Sequence, residues 1–351
     1  MNSEIIFLYS ELSDYSIKCL NHFAENNTDK KIHVVHWPVN KEAPFKFEYS
    51  SKISTYIKND IDLTNLITNL NPDLLLISGW FDKDYFSLVK KNYKTLNTVL
   101  LFDNYWEGTL KQIIGSFFFR KRYVNYFNSC WVPGNIHLEY GLKLGFKLDS
   151  IYKGFYATDL GFFSKFYLNE PSKIIPKRFL YVGRYLGLKG VEELWDAFEL
   201  FSEKYPEWEL HCIGTGDLFE KKIIHPKVFH HGFLQQSELD YFVKFKGVFI
   251  MPSHYDHWGV AVQEFSAAGF PLILSDKVGA SCSFLRNGEN GFIFKAKNSN
   301  DLLDKMIKIA ETPQNKLIEF GKLSHELSKS YDLNSWSFTL NKILLKALKN
   351  D

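Results

Sequence analysis

Short runs of apolar and β-branched residues alternate with longer amphipathic stretches along this chain, and the alternation occurs twice with a break between. The first series is 5–9, 32–36, Leu74–Ile77, Val99–Phe102 and Cys130–Val132. Near-continuous apolar runs of this length are how buried parallel strands read, because both faces of the sheet are covered. The stretches 82–93 and 135–144 between them have helical period and length, which makes the first half a β-α-β array. From about 154 to 178 the pattern loosens through Gly154–Asp159, Pro171, Ser172 and Pro176, a linker signature. It resumes with Phe179–Val182, Glu209–Ile213, Val248–Met251, Leu272–Leu274 and Phe292–Phe294. A chain of 351 residues exceeds one ordinary open-sheet domain. The expectation is therefore two doubly wound α/β domains, 1–160 and 161–331, facing each other across a cleft. A helical stripe of Phe338, Leu340, Ile343, Leu344 and Leu348 predicts that the last segment, 332–351, packs back on the first domain.

Charge excludes one class of partner. Lys and Arg together number 42 against 40 Asp and Glu, so no global field calls for nucleic acid, and any anion site must be local. Cys19, Cys130, Cys212 and Cys282 are far apart, with no C-x-x-C and no His spacing that suits zinc, so buried free thiols are expected. The pairs His230–His231 and His254/His257 lack a third ligand, and no metal is expected. The chain opens on a strand-like run with no basic leader, and no apolar run approaches roughly 18 residues, so a cytoplasmic protein is expected.

Two clusters sit where strands end and helices begin. The first is Val182-Gly183-Arg184-Tyr185-Leu186-Gly187-Leu188-Lys189-Gly190, before a helix from Val191. Ligands of open α/β sheets bind beyond the carboxyl ends of strands, where a glycine lets phosphate reach backbone N–H groups. Arg184 offers a planar fork for phosphate oxygens and Lys189 a point charge; as a lone pair they read equally as solvated cations beside a turn. The second cluster runs from Pro252 to Phe265 and includes Asp256, Trp258, Gly259, Val260 and Glu264. A helix starting at Gly259 would aim N–H groups at an anion and hold Glu264 about one turn inside. Carboxylates suit sugar hydroxyls because each oxygen accepts hydrogen bonds. Taken alone, Asp256 reads also as a helix cap and Glu264 as a surface charge.

The order of these motifs carries more than any one of them. Val182-Gly183-Arg184 with Lys189-Gly190, Cys212-Ile213-Gly214-Thr215-Gly216, His231-Gly232-Phe233, Asp256 to Glu264, Ala267-Ala268-Gly269-Phe270-Pro271 and Asn287-Gly288-Glu289-Asn290-Gly291-Phe292 follow one another from about Phe179 to Ala310. This half resembles the family-4 retaining glycosyltransferases of the glycosyltransferase-B fold, built from two Rossmann-like domains. The resemblance implies a nucleoside-diphosphate-sugar donor, a hexose-type sugar and a glycan or lipid-linked glycan acceptor, with no cofactor. By the same resemblance Arg184 and Lys189, with Gly183, hold the donor diphosphate, and Glu264 binds the ribose. Asp256 contacts the transferred sugar, backbone around Trp258, Gly259 and Val260 faces the diphosphate, and Phe233 and Leu234 lie at the base. The family pattern begins with Glu where this chain has Asp256, a shorter reach toward the sugar.

The first half resembles the family less. Asp103, in Leu101-Phe102-Asp103-Asn104-Tyr105-Trp106, stands where a His is common, and reads either as a residue positioning acceptor or steadying a cationic sugar, or as a turn cap. Tyr105, Trp106 and Trp80 read as an acceptor-stacking surface or as core. Cations and helix N–H groups stabilise a departing diphosphate without a metal. An epimerase of the same fold and a non-catalytic sugar-nucleotide-binding subunit are the competing readings. Finally, no acid occurs from Gly108 to Leu138, while Lys111, Arg120, Lys121 and Arg122 surround Ile113-Ile114 and Phe117-Phe118-Phe119. A segment of this kind, 111–123, suits an anionic membrane surface, on the inner face of a plasma membrane, or a solvated helix over a Phe core.

Overall fold

The computed structural model describes residues 3–39, 47–168 and 174–349. They divide into two compact units, the first made of 3–39, 47–158 and 331–349, the second of 159–168 and 174–330. The first unit holds seven strands, β1 (Ser3–Tyr9), β2 (Lys30–His36), β3 (Ile53–Ile57), β4 (Leu74–Ser78), β5 (Asn97–Leu101), β6 (Ser129–Val132) and β7 (Ile151–Lys153). Their order is β3-β2-β1-β4-β5-β6-β7, all pairs parallel. The chain reverses direction across the sheet between β1 and β4, the place where doubly wound sheets bind ligands. Alternation of side chains sends Ile5 and Phe7 to one face and Ile6 and Leu8 to the other, and all four are buried because helices cover both faces.

The last helix, Leu333–Ala347, supplies part of the first of these faces. The Trp336 ring lies 4.9 Å from Trp131 and 6.2 Å from Phe7, and its indole N–H donates to the Phe155 carbonyl at 2.9 Å. Leu340, Ile343 and Leu344 follow Trp336 into the core, whereas Phe338 is 71% exposed and stands outside the stripe assigned to it. The sequence reading also passed over β3 and β7. Both are short edge strands, and only one residue of β3 is fully buried, so neither shows a continuous apolar run.

The second unit repeats the plan with β8 (Arg178–Val182), β9 (Glu209–Ile213), β10 (Val228–His230), β11 (Val248–Met251), β12 (Leu272–Ser275) and β13 (Gly291–Phe294), in the order β10-β9-β8-β11-β12-β13. Its reversal falls between β8 and β11. The expected linker proves partly helical: Leu160–Leu168 is a helix whose Phe163 is fully buried, 6.2 Å from Phe265. Aromatic residues surround this short helix, so it carries no stripe that periodicity could detect. Pro171 and Ser172 lie outside the described residues. Cys19, Cys130 and Cys212 are buried thiols, and burial raises the pKa of each, that of Cys212 to about 12. Cys282 departs from expectation and is exposed, on the short helix Ser281–Phe284.

Candidate functional site

Beyond the carboxyl ends of β8, β9 and β11 the second unit gathers the residues singled out in the sequence. The loop after β8 continues the ladder with its neighbour: Gly183 N–H donates to Ile213 O at 3.0 Å and Tyr185 N–H to Thr215 O at 2.8 Å. The buried Tyr181 hydroxyl donates to the Arg184 carbonyl at 2.7 Å, which fixes the backbone that carries the Arg184 guanidinium. Burial drives the Tyr181 phenol pKa well above its ordinary value; Cys212 and Asp256 add to the rise and Arg184 opposes it. Tyr181 thus feels the fields of both Arg184 and Asp256.

Lys189 and Asp256 meet directly. Lys189 Nζ lies 2.6 Å from Asp256 Oδ2, with the two side chains 21% and 14% exposed. Their loops are interlocked. Gly190 has φ 66° and caps the helix Val191–Lys204, and a Cβ there would overlap the Pro252 carbonyl. Only glycine permits that approach. Leu188 O accepts from His254 N–H at 2.9 Å, and His254 Nε2 is 2.7 Å from Glu193 Oε1, a contact the sequence reading did not foresee. Asp256 is held from its other side as well, donating its N–H to Lys277 O and accepting from Gly279 N–H, both at 3.0 Å.

The next element is the helix Val260–Ala267, whose N-cap, Gly259, has φ 87° and provides no side-chain cap. Its first-turn N–H groups therefore carry the partial positive charge of a helix N-terminus. The Trp258 side chain is 1% exposed and packs edge-on against Phe284 at 5.8 Å, so the indole is part of the core and the role expected at this position is left to the backbone. Glu264 is half-buried on this helix, and Gln236 Nε2 donates to its Oε1 at 3.4 Å. Gln236 follows the half-buried Phe233 and Leu234, so the hydrogen bond ties the proposed base-binding stretch to the proposed ribose-binding carboxylate. Sequence reasoning missed Gln236, which belongs to no motif that was read.

In the first unit Asp103 lies just beyond β5 and accepts a hydrogen bond from the Tyr156 hydroxyl at 2.9 Å. Burial, and then Asp103, raise the Tyr156 pKa well above the usual phenol value. Asp103 is thus held by the phenol of the partly buried Tyr156. Of the two readings of Tyr105 and Trp80, core is the one observed. Tyr105 is 5% exposed, and Trp80 tilts onto the buried Phe119 at 4.8 Å. Trp37 and Phe81 are the exposed pair at the carboxyl ends of β2 and β4, 6.0 Å apart and edge to face. Two Asp-x-Asp triplets, Asp60-Ile61-Asp62 and Asp82-Lys83-Asp84, have a spacing able to hold a divalent cation, but both are engaged in helix capping. Asp62 caps Leu63–Leu70; Asp82 caps Lys83–Asn92 and pairs with Lys58 at 2.8 Å. Among the described residues no group of three His, Cys, Asp or Glu is placed to hold a metal ion.

Residues 169–326 match the family model of glycosyl transferases group 1. The second unit belongs to that family. Among curated relatives, the poly(glycerol-phosphate) alpha-glucosyltransferase of Bacillus subtilis is 25% identical over 187 residues, 50% of this chain and 27% of its own. The chain spans about half or less of the length of the curated relatives it matches. Among solved structures, sucrose-phosphate synthase from Thermosynechococcus elongatus superposes with a TM-score of 0.76 at 15% identity, covering 99% of this chain and all of that one. Anabaena HepE in complex with UDP and glucose gives 0.72 at 13% identity over 98% of this chain and 100% of its own. The fold is that of the glycosyltransferase-B proteins, two parallel-sheet α/β domains. Each part of the donor-side description above, from Gly183 to Glu264, falls within the group 1 match.

Proposed function

We propose that this chain is a metal-independent, retaining glycosyltransferase that moves a hexose-type sugar from a UDP- or GDP-sugar to a glycan or lipid-linked glycan. The observation that carries this reading is the convergence of Lys189, Asp256 and an uncapped helix N-terminus beyond the carboxyl ends of one sheet, inside the group 1 match. In this reading Arg184, Lys189 and the N–H groups of Val260 and Ala261 hold the diphosphate. Glu264, steadied by Gln236, accepts from the ribose hydroxyls, and Asp256 faces the transferred sugar. The bond between the anomeric carbon and the diphosphate oxygen breaks, the acceptor oxygen bonds to the same face, and the acceptor proton passes to the departing diphosphate. Charge growing on that diphosphate is what fixed cations and oriented dipoles stabilise best, because they need not reorganise during the step. In the same reading Asp103, whose carboxylate accepts from the Tyr156 hydroxyl, has the role of steadying the cationic sugar or orienting the acceptor. A setting in surface-polymer assembly is supported by the name of the Bacillus relative, and we assign the chain to the cytoplasmic face of a membrane.

Calorimetry with UDP-, GDP- and ADP-sugars in EDTA tests the donor site, with Arg184→Ala as control. Micromolar binding of one donor that the variant loses is the expected result. No binding by any donor removes the transferase reading. Binding without transfer to any glycan acceptor identifies a non-catalytic subunit, and interconversion of the bound sugar identifies an epimerase.

A further inference from the structure

The helix Leu110–Arg122 is built inside out. Leu110, Ile113, Ile114, Phe117 and Phe118 fall at i, i+3, i+4, i+7 and i+8, the spacing by which a helix presents an apolar stripe to its core. Here the stripe faces outward, with exposures of 78, 48, 56, 59 and 50%. The inward face is held instead by Ser116 and Phe119, 6% and 2% exposed, with Phe119 packed against Trp80, Phe127 and Phe146. The helix is also pinned at its start. Gln112 donates to Tyr105 O and accepts from Glu107 N–H, each at 2.8 Å, and the Thr109 hydroxyl accepts from Gln112 N–H. Rotation of the stripe inward would break these contacts, so its exposure is a property of the fold.

Charge identifies what covers it. At 100° per residue the stripe is flanked by Lys111 and Arg122 on one side and Arg120 on the other, with Lys121 at its end, and all four cations are exposed. No acid lies between Gly108 and Leu138 to neutralise them. An apolar stripe bordered by cations matches the boundary between acyl chains and anionic headgroups, into which such a helix sinks lengthwise. Among the described residues no helix is long and apolar enough to cross a membrane, so the contact is interfacial. We propose that the Leu110–Arg122 face docks on an anionic lipid bilayer, with Phe117 and Phe118 in the acyl boundary and Lys111, Arg120, Lys121 and Arg122 among the headgroups. The surface is separate from the donor residues and its test does not depend on catalysis.

The full chain is floated with vesicles of phosphatidylcholine alone and of equal parts phosphatidylcholine and phosphatidylglycerol, at low and high salt. Binding to the mixed vesicles is expected, weakened by salt. Phe117→Ser with Phe118→Ser should abolish it, and Lys121→Gln with Arg122→Gln should weaken it by about fivefold per charge. Circular dichroism and thermal unfolding of both variants show that they fold; the altered side chains are exposed, so no loss of structure is expected. Absence of binding to mixed vesicles at low salt overturns the proposal, as does binding that both variants retain. A dimer in solution that Phe117→Ser with Phe118→Ser converts to monomer, without vesicle binding by either form, assigns the stripe to a second copy and also overturns it.

Discussion

Lys189 and Asp256 neutralise each other, and on the proposed function a diphosphate held by Lys189 must contend with that carboxylate. At 2.6 Å two unit charges attract by about 6 kcal/mol at an effective dielectric constant of ~20. Most of this is cancelled by lost hydration, since the side chains keep only 21% and 14% of their surface. Removing one partner of such a pair costs about 3 kcal/mol, the low end for buried pairs because some water remains. Asp256→Asn and Lys189→Met should each lower stability by about this amount, and the double substitution should cost clearly less than their sum. Donor affinity should split in sign. Lys189→Met removes a charge-assisted contact to phosphate and should weaken UDP binding by about 1.5–3 kcal/mol, roughly ten- to hundredfold. Asp256→Asn removes the carboxylate that would compete with the diphosphate for Lys189; like charges ~6 Å apart repel by about 3 kcal/mol before screening and about 1–2 after it, so UDP should bind about tenfold tighter. Transfer activity should nevertheless fall in Asp256→Asn, because on the proposed function the carboxylate faces the sugar. Calorimetry with UDP, urea unfolding of the four proteins and a transfer assay measure the three quantities. If Asp256→Asn weakens UDP as much as Lys189→Met does, the carboxylate orients Lys189 rather than competing for it, and this reasoning fails.

Three further outcomes are expected. His231, 3.1 Å from His211 Nδ1, has its pKa lowered to about 4, by burial first and then by His211, from an ordinary value of 6.5. The unfolded chain therefore takes up the proton more readily, so stability from this group is complete above pH 6.5 and is lost as pH falls toward 4; urea midpoints should drop over that window, and His231→Asn should flatten the slope. Glu264→Gln should weaken UDP binding about tenfold by removing a charged acceptor for the ribose, while inorganic pyrophosphate binding is unchanged; equal losses for both ligands would place Glu264 elsewhere. Trp336→Ala empties a fully buried site and orphans the Phe155 carbonyl, and should cost the first unit about 3–5 kcal/mol by urea unfolding, with UDP affinity in the second unit unchanged.

The arrangement of the loops after β8 and β11 was legible in sequence because its geometry is made by backbone. Gly190 must pass the Pro252 carbonyl, and Gly259 must hold a positive φ at the head of a helix. Constraints of that kind leave glycines at fixed places in the chain, and the charged residues close to them in sequence, Arg184, Lys189 and Asp256, inherit a fixed setting. Gln236 was not legible, because a side-chain hydrogen bond to Glu264 at 3.4 Å makes no demand on neighbouring residue types. The burial of the Trp258 ring was not legible for a related reason: its place beside Gly259 is set by the backbone, but the ring packs on Phe284, distant in sequence. Edge strand β3 escaped because a strand with one neighbour and one exposed face has no need for a continuous apolar run; β7, buried on both faces through Ile151 and Tyr152, escaped because three residues are too few to show one.

The helix Leu110–Arg122 marks the limit of periodicity as an argument. A stripe at i, i+3, i+4, i+7 and i+8 predicts that one face is apolar, and by habit that face is taken to be the inner one. What decides direction is the competition for the inner position between the stripe and Phe119 with its neighbours. Phe119 wins because Trp80, Phe127, Phe146 and Tyr123 form a socket for one ring, closed by the end of the helix Leu138–Leu144, where Arg120 packs its stem on Gly145. A stripe of five large apolar residues would need a trough as long as the helix, and the domain provides only the socket. The burial forgone on that face would be a liability in water alone. It is recovered where the solvent is itself apolar, and the cations bordering the stripe give the sign of charge that such a surface must carry.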